Sequence, residues 1–213
     1  MARSLSSHTK DLLIQSFLIV LSVLLALFLD EARSDYKLGR QRDQVVGNVI
    51  AELRDNATSL EQVVDYHAVV SGALGDYLDS LAQRGARLTS PAIQVVPSVL
   101  DGGIQPPELQ RTAWNSAQLS PAYSLIPYET TYELARLYDL QANGVETTWR
   151  ELAQLFVGLD AYDPARAGPV LHAMQFGFGE LHSQERFLLE EAQEALDAVC
   201  TQMPVPTCIT SGQ

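Results

Sequence analysis

The amino-acid sequence predicts an all-α protein: an N-terminal transmembrane helix that continues into the long first helix of an antiparallel helical bundle. Three observations carry this. Residues 12–29 form one uncharged apolar run. Residues 46–81 repeat apolar side chains at helical spacing. Two later stretches repeat the same pattern, set apart by Pro- and Gly-containing breaks.

The apolar run reads LLIQSFLIVLSVLLALFL, 18 residues between Asp11 and Asp30. At 1.5 Å per residue it spans about 27 Å, close to a hydrocarbon core of about 30 Å. Gln15, Ser16 and Ser22 are its only polar residues, and serines can bond back to the preceding turn. A cleaved signal peptide would carry a shorter apolar region and small residues ahead of the cut. Here Asp30-Glu31-Ala32-Arg33 follows instead. Residues 1–11 are then a short tail and 12–29 a single span, since no second run of that length occurs.

Two signals disagree on orientation. Arg33, Lys37, Arg40 and Arg42 outnumber the basic groups before the span, which favours a cytoplasmic domain. Cys200 and Cys208, the only cysteines, can instead close a short loop as a disulfide, which persists on the oxidising side. Two unrelated reduced thiols are the alternative. The balance favours an extracytoplasmic domain.

After a charged stalk at 30–45, one heptad register holds Val46, Leu53, Leu60, His67, Leu74 and Leu81. Its partner positions hold Ile50, Ala57, Val64, Ser71 and Leu78. No proline interrupts residues 1–90, so one helix is expected to run from the membrane to Arg84 and stop at Gly85. The stalk stands free or pairs with a second copy as a coiled coil. Residues 85–107 read as a long ordered loop rich in Pro, Gly and β-branched residues. A short helix is expected from Pro107 to Leu119 and another from Pro127 to Leu159. The second has a stripe through Tyr128, Tyr132, Ala135, Tyr138, Val145, Trp149, Leu152, Phe156 and Leu159, and Asn143-Gly144 marks a kink. Asp163-Pro164 caps a last helix that reaches Cys200 through Leu171, Met174, Phe178, Leu181, Leu188, Ala192, Ala195 and Val199. The bundle thus occupies residues 46–200 and a tail 201–213.

The formal charge is −12, which repels phosphates and excludes a nucleic-acid partner. The acidic surplus lies after residue 29 and serves as a solvated surface. No catalytic motif is present: there is no phosphate loop, nucleophile elbow or zinc-protease signature. His182 and Glu185 share a helix face at i, i+3, but the remaining ligands of a helical metal site are missing, so neither metal nor cofactor is expected. Trp114, Tyr128, Tyr132, Tyr138 and Trp149 are the candidate ligand-binding residues, interleaved with polar side chains as in a small-molecule pocket. The alternative is an ordinary aromatic core.

The ending Leu25-Ala26-Leu27-Phe28-Leu29-Asp30-Glu31 and the charged helix after it resemble the start of a group of uncharacterised bacterial single-span membrane proteins. In those the span ends in an Asp followed by a Trp-containing polar helix. Thr112-Ala113-Trp114 and Leu137-Tyr138-Asp139-Leu140-Gln141 are similar to their second half. Glu31-Ala32-Arg33 stands here where a Trp is usual. The resemblance is closest over residues 12–45. It implies a bacterial inner-membrane protein and no activity. The expected role is a membrane-anchored helical scaffold or accessory subunit that binds another envelope protein or a second copy; the alternative is a ligand-binding, sensor-like domain signalling through a partner.

Overall fold

The structure, a computed structural model, describes residues 7–100 and 102–209. The expected tail residues 1–6 and 210–213 lie outside it. Among the described residues every regular element is helical. Helix α1 runs without interruption over Ser7–Gln83, so it is already helical five residues ahead of Leu12, where the span was expected to begin. Its end follows from chain geometry. Gly85 adopts φ +60°, its N–H bonds Ala82 O at 3.1 Å, and Ala86 N–H reaches back to Leu81 O at 3.1 Å. This paired closure satisfies the last carbonyls and needs a residue tolerant of positive φ.

α1 divides into two regimes. Leu12 and residues 14–37 are exposed, with Leu27 at 61% and Phe28 at 66%. Within this stretch Ser22 Oγ bonds Ile19 O at 2.8 Å, so its hydroxyl is satisfied by its own helix. The segment is long and apolar enough to cross a membrane. Burial begins at Val46 and follows the predicted register: Ile50, Leu53, Ala57, Leu60, Val64, Leu74 and Leu78 are all buried.

The other elements wrap this buried half. Helix α2 spans Ala92–Val99, where a loop was expected. Ala92, Val95, Val96 and Leu100 are buried at helical spacing, and that burial outweighs the β-branched residues and the internal Pro97. Helix α3 covers only Thr112–Gln118. Pro107 does not open it, because Pro106-Pro107 favours extended backbone before each ring and because α1 side chains take up the polar groups of that stretch. A 3₁₀ turn at Pro121–Leu125 follows.

Helix α4 (Tyr128–Leu140) and helix α5 (Glu146–Val157) are joined by a π-helical turn at Gln141–Val145, where the Asn143-Gly144 kink was expected. The last expected helix runs as α6 over Ala167–Gln202, entered through a 3₁₀ turn at Pro164–Arg166 whose Ala165 N–H is capped by Asp163 Oδ1 at 2.9 Å. Its predicted stripe is buried throughout. Later residues of α6 meet earlier residues of α1: Ser71 Oγ donates to Gln175 O at 3.0 Å, and His182 Nδ1 lies 3.0 Å from Val64 O. Residues 201–209, the described part of the expected C-terminal tail, pack against the bundle. Met203 and Val205 are buried, a short helix α7 spans Pro206–Ile209, and Arg54 Nη1 donates to Thr207 O at 2.6 Å.

Candidate functional site

The core-facing stripe of α1 is interrupted by polar residues, and each interruption has a partner. Glu52, Asn56 and Ser59 lie three or four positions apart on one helix face, with Tyr66 and His67 two turns further on. Together they hold the irregular chain between α2 and α3. Glu52 Oε2 accepts from Ala113 N–H at 2.7 Å and its Oε1 from Trp114 N–H at 3.1 Å. The carboxylate thus caps the N-terminus of α3 from a different helix, where negative charge is favoured. Asn56 pairs with both backbone groups of Gln110, donating to its O at 2.7 Å and accepting from its N–H at 2.7 Å. Ser59 Oγ accepts from Glu108 N–H at 2.8 Å, and Tyr66 OH donates to Gly103 O. Backbone outside regular structure still needs partners, and here side chains of α1 replace a ladder. Gln141, set in the π turn, adds donations to Gln110 O at 3.2 Å and Glu146 Oε1 at 3.0 Å.

At the far end of this seam lies a sealed pair. His67 and Glu185 are both fully buried, with Nδ1 at 2.8 and 3.0 Å from the two carboxylate oxygens. His67 Nε2 faces Gln105 O at 2.9 Å. Both ring nitrogens meet oxygen acceptors. The Gln105 carbonyl can only accept, so a hydrogen on Nε2 satisfies it. Trp149 stacks on the imidazole at 6.2 Å and Phe178 leans on it at 5.6 Å. Glu185 belongs to His67 and not to its sequence neighbour His182, whose Nδ1 goes to Val64 O. Full enclosure keeps the pair away from any dissolved substrate, so its chemistry is that of a tie between α1, α6 and the 103–111 segment.

The five candidate aromatics fall in three places. Trp114 and Tyr138 are buried and stacked at 5.4 Å with an interplanar angle of 3°, and Tyr123 meets Trp114 edge-on at 6.0 Å. Tyr138 OH donates to Glu52 Oε1 at 2.7 Å. Burial, reinforced by the neighbouring Glu52 carboxylate, raises the Tyr138 pKa well above the ordinary phenol value. Tyr128 and Tyr132 stack on each other at 6.2 Å, outside the core, at 75% and 54% exposure. They were expected on the buried stripe, as were Ala135 and Leu159, which are exposed too. The buried face of α4 instead runs through Thr130, Leu134, Leu137 and Tyr138, because aliphatic residues lose most by meeting water while a tyrosine keeps its hydroxyl wet. Trp149 is the separate partner of His67. An open groove of about 570 Å³ lies elsewhere, between Ser71, Thr148, Glu151, Phe176 and Glu180. Among the described residues no cluster of three metal-ligating side chains occurs.

Cys200 and Cys208 are joined as a disulfide with a Cα–Cα distance of 5.5 Å. Glu52, Asn56 and Gln141 are structurally committed polar residues that motif reasoning passed over, and Glu185 was weighed there only with His182. Their common signal is a polar side chain at a core-facing position, which requires a partner. No family model, curated protein or solved structure matches the chain.

Proposed function

We propose that this chain is a single-pass membrane protein whose helical domain, an antiparallel bundle, serves as an anchored scaffold or accessory subunit for another envelope protein. One observation carries the reading. A single helix passes from a fully exposed apolar segment, residues 14–29, directly into the core of the folded domain from Val46 onward. Exposed leucines and phenylalanines over that length match a lipid environment. A continuous helix also fixes the height and rotation of the bundle over the bilayer, as a positional scaffold requires. The antiparallel arrangement is supported by the α1–α6 contacts, which pair residue 64 with 182 and 71 with 175.

The disulfide supports an extracytoplasmic, periplasmic placement in a bacterial inner membrane, because such bonds persist where thiols are not kept reduced. Two experiments test the reading. Trapping thiols in intact cells with a membrane-permeant maleimide, with and without prior reduction, reports the compartment: thiols blocked until reduction support the placement, and thiols that react at once overturn it. Photo-crosslinking from exposed bundle positions in native membranes should yield a defined heteromeric adduct. Recovery of isolated monomers alone sinks the scaffold reading.

A further inference from the structure

We infer that the juxtamembrane part of α1 carries a cationic face that binds the headgroups of anionic phospholipids. The inference rests on the reading of residues 12–29 as a span. Arg33, Lys37 and Arg40 stand at i, i+4 and i+7, so at 100° per residue they fall within an arc of about 60°. All three are exposed, and none forms an ion pair with another described residue. Arg42, by contrast, faces elsewhere and is paired with Asp43 at 2.6 Å.

Height decides what this face can meet. Counting from Leu29 at 1.5 Å per residue, the three Cα atoms stand about 6, 12 and 16 Å above the apolar run. The headgroup band adds about 5–7 Å on each side of the hydrocarbon. Side chains on an α-helix lean toward its N-terminus, which for α1 is the membrane side. Long cationic side chains therefore reach down: Arg33 into the headgroups, Lys37 to their edge, and Arg40 to within a screening length of about 8–10 Å. Asp30 lies on the same face at the rim and offsets one charge; Glu31 and Asp35 fall on the opposite face.

The test uses the full chain reconstituted in phosphatidylcholine bilayers. Flotation with pure phosphatidylcholine vesicles reads the span alone; a chain that stays in the dense fraction overturns both readings. With insertion established, spin-labelled phosphatidylglycerol is compared with spin-labelled phosphatidylcholine for occupancy of the motionally restricted shell. One cation near the surface is worth about fivefold, so a preference of at least that size is expected. It should fall toward unity in 1 M salt and in the triple variant Arg33→Gln, Lys37→Gln, Arg40→Gln. Arg84→Gln, which removes one positive charge just beyond the far end of α1, should retain it. Equal selectivity in the wild type and the triple variant overturns the proposal while leaving the span intact.

Discussion

Replacing Glu185 by leucine removes one half of a pair that no water reaches. In the folded protein the His67 ring then keeps Gln105 O on Nε2 but loses both carboxylate contacts on Nδ1, at 2.8 and 3.0 Å. Breaking a buried pair by deleting one partner costs about 3–5 kcal/mol, because the survivor stays desolvated without compensation. His67→Leu is expected to cost the same and somewhat more, since Gln105 O loses its donor as well, worth about 1 kcal/mol. The double variant replaces both by apolar groups of similar volume among Trp149 and Phe178. Its cost should drop to about 1–3 kcal/mol, that of the orphaned carbonyl. A coupling of at least about 4 kcal/mol between the two sites follows. Urea unfolding of the full chain in detergent measures it, followed by far-ultraviolet dichroism and by tryptophan fluorescence, with Trp149 against the imidazole as a local reporter. Additive costs, with the double variant at the sum of the singles, would refute the sealed-pair reasoning.

Three further outcomes are expected. At Gly177 an added Cβ would stand 2.5 Å from Leu152 Cδ2, whereas at Gly72 it meets nothing within 4 Å; Gly177→Ala should destabilise by about 1–3 kcal/mol and Gly72→Ala stabilise by up to about 1 kcal/mol, read as shifts in the urea midpoint. The Tyr138 phenol is raised in the folded state by burial and by Glu52. Its stabilisation is therefore complete below the unfolded tyrosine value of about 10 and is lost as pH rises beyond it; Tyr138→Phe should flatten stability against pH above about 10 and leave one fewer slowly ionising phenol in an ultraviolet titration. Loss of the Cys200–Cys208 bond, which closes a loop of sequence separation 8, should cost about 2–3 kcal/mol in a Cys200→Ala, Cys208→Ala variant, with enhanced proteolysis after Gln202 as the local sign.

Much of the fold was legible in the chain because period and composition report burial directly. The heptad register of α1 held from Val46 to Leu78, and Gly85 ended the helix where its tolerance of positive φ was needed. The α6 stripe held for the same reason. The errors arose where two local rules competed. Residues 92–100 carry a helical burial pattern, Ala92, Val95, Val96 and Leu100, inside a stretch whose Pro and Gly content reads as loop. Tyr128 and Tyr132 have aromatic bulk at stripe spacing, yet Leu134 and Leu137 define the buried face.

The order of residues along the chain is enough to specify the all-helical class, the long first helix with its apolar N-terminal segment, and the core stripes, since each depends on neighbours within a few turns. It also marked His67 as an exception on a buried face. The partners came from the packing of the helices: Glu185 for His67 at a separation of 118, Glu52 for the start of α3, and Asn56 for the backbone of Gln110. A desolvated polar group must find a partner wherever the fold brings one within about 3 Å. Helical period states which face is buried but carries no record of what that face will meet.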